Sequence, residues 1–468
     1  MKYRRMIALG AVMALPFIAM AGGVKSEEAQ AVSYPYYEGA YASGAIVKEN
    51  ECPVIVEKES LTLNISSLPS VTDKDSLAYC AGEAEINYLF YNPGDTAYKM
   101  TLLSPYDMIP SYMDGAVETV SFSAFINQNS VNGNIRHTYA KKDFQIHDDS
   151  ERVREEKRTG FSSPDSLVTK YTYTVYTPDT EDGYSLRLSF PVNSRKSHVY
   201  FERDNGILLR LENGNTHFRI KLDAGSRKNE VSFYIAGEPV GVRSASLFHG
   251  KTQVDYEVEP PEITTLTFEE LAMKDYSASS GVGKIDWYNA FFDMLEDKAD
   301  ANGYVFGVTL RPERFMRWYE YEVEIPPKGY AENTVKVPVY PTIVGEKNPR
   351  YEYGFLLSAA EKWSSVKEVE IHINTPYYLT HSSLDFPEPE TKEGMYTYSL
   401  TRTYLPQGDL TFVLAGEENA STDFDSIDNK KFSAPFWNWA TITLFVFAGV
   451  AAGAAVALFI SLRVKKKK

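Results

Sequence analysis

Carboxylates are the commonest chemical resource of this chain, 63 Asp and Glu against 48 Lys and Arg in 468 residues, and a few short constellations could put them to work. His147-Asp148-Asp149 offers an imidazole and two carboxylates, a donor set for a divalent metal, although its place in a charged run through Glu156 reads as a solvated loop. Asp179, Glu181 and Asp182 could gather a cation at a hairpin tip, although they read first as an ordinary turn. Asp300-x-Asn302-Gly303 matches part of a calcium loop, but Lys298 occupies the first ligand position and Thr309 the closing one, so calcium is not expected there. Gly160-Phe161-Ser162-Ser163 lacks the second glycine of a nucleophile elbow.

The local motifs of hydrolytic metal sites, phosphate loops and dinucleotide turns do not occur, and no cofactor is implied. The seven histidines are scattered singly, and His372 lies in an alternating stretch that reads as a sheet residue. Glycoside hydrolysis needs only two carboxylates at the right separation, so an acidic chain supplies candidates without identifying any. The 33 tyrosines suit recognition faces and carbohydrate stacking, and they suit ordinary sheets as well. Cys52 and Cys80 form a candidate disulfide, since two thiols lack the further ligands of a zinc site and neither has a histidine nearby in sequence.

The elements that must position these groups are mostly strands. Period-two alternation with aromatic and β-branched residues marks Leu61–Ile65, Glu85–Tyr91, Tyr98–Leu103, Tyr171–Tyr176, Tyr184–Phe190, Ile207–Leu211 and Phe218–Leu222. Asn92-Pro93-Gly94-Asp95 predicts a β-hairpin between the second and third of these, and Asn213-Gly214 another between the last two. Between 259 and 302 the period becomes helical: Thr267 and Glu270 form a capping-box pattern, and Ile285–Leu295 carries aromatic groups expected to pack on a neighbouring sheet. Strands then resume to Leu410–Leu414. Glu230–Glu238 and Asp409–Glu417 share one nine-residue template, which suggests two related β-sandwich domains.

The predicted organisation is therefore mainly β: a signal peptide at 1–21, an irregular leader at 22–50, a first β-sandwich domain at 51–258, a helical connector at 259–302, a second at 303–418, a polar spacer at 419–436, a transmembrane helix at 437–462 and a tail at 463–468. Trp439 to Leu462 carries no charge, and a helix of that length spans a hydrocarbon core of about 30 Å. Arg463 and Lys465–Lys468 predict a cytoplasmic tail and an ectodomain outside. Gly449, Gly453 and Ala457 align small residues on one stripe and raise a homodimer through this helix. Without the three basic residues of the signal and the five of the tail, 40 basic residues face 63 acidic ones, a formal −23 that argues against nucleic acid as a partner.

The signal, the strand ending in YNPGD, the stretch YEYGFLLSAAEKWSSVKEVEIHINTPYYL, the closing LPQGDLTFVLAGE and the Lys-rich tail resemble single-pass surface proteins of Gram-positive bacteria, themselves uncharacterised. The resemblance implies a cell-membrane location and a β-rich build, and carries no catalytic residues. Lys465 and Lys466 also fit a eukaryotic retrieval signal, and Asn64-Ile65-Ser66 and Asn419-Ala420-Ser421 are glycosylation triplets, but the tail is otherwise explained by orientation. The expected function is a membrane-anchored, non-enzymatic extracellular protein that binds a protein or carbohydrate or supports the envelope. The alternative is an anchored hydrolase acting on carbohydrate or peptide.

Overall fold

A computed structural model describes residues 41–418, apart from 50, 70–81, 108–121, 142–144, 191–195, 204–205, 213–214, 242–243, 256–257, 301, 312–314 and 345–348. The chain is mainly β, as its alternation predicts, and its strands lie in five sheets among the described residues. The expected signal peptide, spacer, membrane helix and tail lie outside those residues, within which no helix is long and apolar enough to cross a membrane.

The largest sheet has nine strands, with Val369–Thr375, Ile55–Asn64, Gly82–Tyr91 and Tyr330–Val339 at its centre. Its inner face, including Leu61, Ile86, Phe90, Val335 and Ile371, shares one core with two smaller sheets. One contributes Leu102 and Val323 from Tyr98–Asp107 and Phe315–Ile325; the other contributes Tyr353 and Phe412 from Arg350–Leu356 and Leu410–Ala415. Strands from near both ends of the described chain thus build one body. Gly82–Tyr91 pairs with Tyr330–Val339 along its whole length, from Tyr330 opposite Tyr91 to Val339 opposite Gly82.

The expected succession of domains is corrected by this pairing. Residues 41–141 and 315–418 form the body, and the segment between them is an insertion with its own two sheets. Leu167–Tyr176 and Lys228–Gly237 belong to one, Tyr184–Phe190 and Asn215–Lys221 to the other, and Leu186, Phe201, Phe218 and Phe233 fill the core between them. Alternation along a strand says which face is buried but not which distant strand is its neighbour. The two templated stretches do occupy like places: Lys228–Gly237 and Leu410–Ala415 are each flanked on both sides by antiparallel strands.

Among the described residues three α-helices accompany the sheets: α1, Ile146–Ser150; α2, Phe268–Met273; and α3, Lys284–Lys298. The capping box forms as its residues predict, the Thr267 hydroxyl accepting from the Glu270 amide at 3.1 Å and the Glu270 carboxylate from the Thr267 amide at 2.7 Å. The helical stretch does not bridge two serial domains. Phe268, Trp287, Phe291 and Phe292 bury against Val168, Tyr200 and Tyr234 on the outer face of an insertion sheet, the sheet packing expected of them.

The turn residues separate into two kinds. Ile207–Glu212 and Asn215–Lys221 form a true hairpin, Glu212 facing Asn215. Gly82–Tyr91 and Tyr98–Asp107 do not: they lie in different sheets, so Asn92–Asp95 turns the chain from one sheet to the other. Residues 326–329 make the same crossing beside it. The buried Asn92 ties the two arches together, its Nδ2 donating to the Thr96, Ile325 and Pro326 carbonyls at 2.8, 3.2 and 3.2 Å, its Oδ1 accepting from Gly94 N at 2.9 Å. Its own amide reaches Gly329 O at 3.0 Å. A turn sequence specifies reversal; the partner strand is chosen by packing.

Of the expected cysteine pair only Cys52 falls among the described residues, just ahead of the strand Ile55–Asn64. Cys52 is a buried free thiol, and Cys80 lies outside the described residues. Burial raises the Cys52 pKa, against hydrogen bonds from Val54 N and the Tyr98 side chain.

Replacing Asn92 by Ala removes its bonds to the Thr96, Ile325 and Pro326 carbonyls and to the Gly94 amide, of which the one to Ile325 is buried, and should cost about 1–3 kcal/mol in denaturant unfolding.

Candidate functional site

The densest buried charge lies where α3 meets the body. Its aromatic residues face the insertion sheet, and three polar residues at helical spacing, Asp286, Asn289 and Asp293, are buried on another side. The residues meeting them come from the strand Asn134–Tyr139 and from residues 149–158. Asp286 Oδ1 accepts from Arg136 Nη2 at 3.0 Å, and its Oδ2 from the His137 amide at 2.9 Å. Arg136 Nη1 also donates to Glu320 at 3.0 Å and Glu155 at 2.6 Å, and Lys48 bridges the same two carboxylates. Asn289 Oδ1 accepts from Arg158 N at 2.8 Å, and its Nδ2 donates to Glu156 O at 3.0 Å. Asp293 pairs with Arg158 and lies 3.9 Å from Arg152, which in turn lies 3.4 Å from Asp149.

Burial opposes the Arg136 charge, but Asp286 and Glu320 outweigh it and hold the guanidinium protonated. Burial raises the Asp293 pKa more than Arg158 and Arg152 lower it, and pushes Asp149 up to about 6 against the Gln145 amide. Charges this well enclosed orient one element on another. Their partners are one another and nearby backbone amides.

The sequence candidates resolve as follows. His147-Asp148-Asp149 is not a solvated loop: it lies in α1, with Asp149 buried and His147 Nε2 2.8 Å from Ser358 O. Asp179 Oδ1 accepts from Glu181 N at 2.9 Å and Asp182 joins Lys221 at 3.2 Å, the turn reading. Asp300 Oδ1 caps its own loop through Asn302 N and Tyr304 N, at 2.8 and 2.9 Å. No group of three or more metal-ligating side chains occurs among the described residues. Gly449, Gly453 and Ala457 lie outside them.

One arrangement has the composition of a catalytic triad. His372 Nδ1 lies 3.0 Å from Ser399 Oγ, and His372 Nε2 lies 3.9 Å from Glu370. These are cross-strand and same-face neighbours on a sheet surface, His372 standing opposite Ser399. The carboxylate is beyond hydrogen-bond range and pairs instead with Lys58 at 2.6 Å. The tyrosine excess is largely spent inside: Tyr171, Tyr288, Tyr319 and Tyr351 donate to the backbone carbonyls of Val240, Arg158, Val131 and Pro69. Tyr176, Tyr330 and Tyr404 keep large exposed rings.

Sequence reading missed the junction and one further buried acid. The Asp286, Asn289, Asp293 stripe was its available signal, a polar file on an otherwise aromatic helix. Glu59 enters the core because a bulge after Val56 shifts the phase of Ile55–Asn64, placing it opposite Tyr88. Burial pushes its carboxyl up to about 7, against a hydrogen bond from Tyr88. Tyr88 Oη in turn accepts from Ala45 N at 3.1 Å.

No protein-family model matches the sequence, and no curated protein matches it. Among solved structures, the chain is similar to a Legionella pneumophila protein provisionally called a nutrient binding protein, at 8% identity and a TM-score of 0.36, covering 81% of this chain and 71% of that one. It also aligns with the N-terminal domain of a Streptococcus gordonii adhesin, at 8% identity and a TM-score of 0.12, over 82% and 88% of the two chains.

Asp286→Ala leaves the Arg136 guanidinium to Glu155 and Glu320 and the buried His137 amide without its acceptor, and should cost about 2–4 kcal/mol in chemical denaturation, whereas the apolar pair R136M/D286L should lose less. Between pH 4.5 and about 7 folded Glu59 keeps a proton that the unfolded chain releases, so stability falls as pH rises through that window and levels off above it. Glu59→Gln should remove this share, roughly 3 kcal/mol, and so be the more stable form at pH 8 but not at pH 4.

Proposed function

We propose that this chain is a non-enzymatic extracellular protein, anchored by the helix expected at 437–462, that binds a protein or carbohydrate or supports the cell envelope. The observation that carries the reading is how its ionisable groups are used. Among the described residues the buried acids meet arginines, backbone amides or a tyrosine, and the His372, Ser399 and Glu370 groups lie on a sheet surface suited to contact. The surface location, the kinship with Gram-positive surface proteins and a homodimer through Gly449, Gly453 and Ala457 belong to the same reading.

A hydrolase is the second reading, favoured by the Ser399 and His372 contact. Two measurements on the full chain test the choice. Protease applied to intact cells should cleave within 41–418; cleavage only after permeabilisation would overturn the outward orientation. The purified chain should retain an envelope polysaccharide or surface protein without converting it, whereas turnover abolished by Ser399→Ala would favour the hydrolase.

A further inference from the structure

Although the whole chain is acidic, one face of the insertion is locally basic. In the sheet containing Tyr184–Phe190, Leu186, Leu188, Phe218, Ile220 and Leu247 point into the core. Alternation therefore turns Arg187, His217 and Arg219 to the opposite side. Arg187 stands directly opposite Arg219, and in the neighbouring row Arg210 stands opposite His217. Like charges facing each other across a strand pair are destabilising, so this placement needs a reason.

Neither Arg187 nor Arg219 has a carboxylate partner among the described residues. Arg219 Nε donates to Ser185 Oγ and its Nη2 to Gly250 O, both at 3.2 Å. The Arg187 guanidinium lies 3.5 Å from the centre of the Phe248 ring, and its Nε is buried without a hydrogen-bond partner. Asp182, on the same sheet's turn, is held by Lys221. Burial and the adjacent Arg219 both lower the proton affinity of Arg187, the electrostatic sign of an unneutralised pair. Two planar forks side by side fit an oxyanion shared between them. At physiological salt the field of the distant acidic surface is screened beyond about 8 Å, so the local sign governs contact.

We propose that this outward face, centred on Arg187 and Arg219, binds the acid groups of an anionic polysaccharide. The proposal rests on the binding reading above and supplies its ligand class. Because Arg187 and Arg219 stand on adjacent strands, a polymer with repeated acid groups engages both at once.

The test is binding of the full chain, in detergent or nanodiscs, to immobilised polygalacturonate, with neutral dextran as control. The wild type should bind the first and not the second, with affinity falling as salt rises. R187Q/R219Q should bind at least tenfold more weakly, with a melting temperature equal to or above that of the wild type. R187K/R219K, which keeps the charge but not the fork, should be intermediate and serves if the first variant folds poorly. Equal binding by the double variant, or no binding of polygalacturonate by the wild type, overturns the site. If the wild type meanwhile retains a neutral glycan or a protein, the broader binding reading stands; if it retains nothing, both fall.

Discussion

The register between Gly82–Tyr91 and Tyr330–Val339 is the constraint on which the rest of this molecule depends. It joins stretches more than two hundred residues apart in sequence and makes the body discontinuous. The insertion must then leave and return near one place, and the arches at 92–95 and 326–329 must run side by side. Asn92 serves both arches at once because pairing brings them together. Loop-closure entropy opposes so distant a pairing, and a ten-residue ladder with a buried inner face offsets it.

The junction at α3 follows from the same geometry. Aromatic residues on the helix bury themselves on the insertion sheet, which is non-directional and leaves rotation about the axis undecided. Asp286, Asn289 and Asp293 supply direction, each meeting a specific group of the body or of residues 149–158. Enclosed ion pairs add little net stability compared with an apolar contact, yet mispairing them is expensive. Their contribution here is orientation.

Local features were legible where the chemistry is local. The capping box at Thr267 and Glu270 closes on itself, and Asn213-Gly214 is flanked by the hairpin it predicts. The same logic failed at Asn92-Pro93-Gly94-Asp95, since a turn can join strands within one sheet or between two. Glu59 sits in an alternating strand whose phase is reset by a bulge that no residue type announces. The facing arginines, 187 and 219, were unremarkable members of two separate strands until register set them opposite each other.

The amino-acid sequence by itself determined the β-rich build, the helical stretch within it and the strongly acidic balance, because these follow from period, capping and charge count, which need only near neighbours. Tertiary structure alone decided which strands share a sheet, that the body is interrupted by an insertion, which acids are buried and which basic side chains gather on one face. Each of those depends on pairings between distant segments, and a strand's own pattern specifies its buried side without specifying its partner.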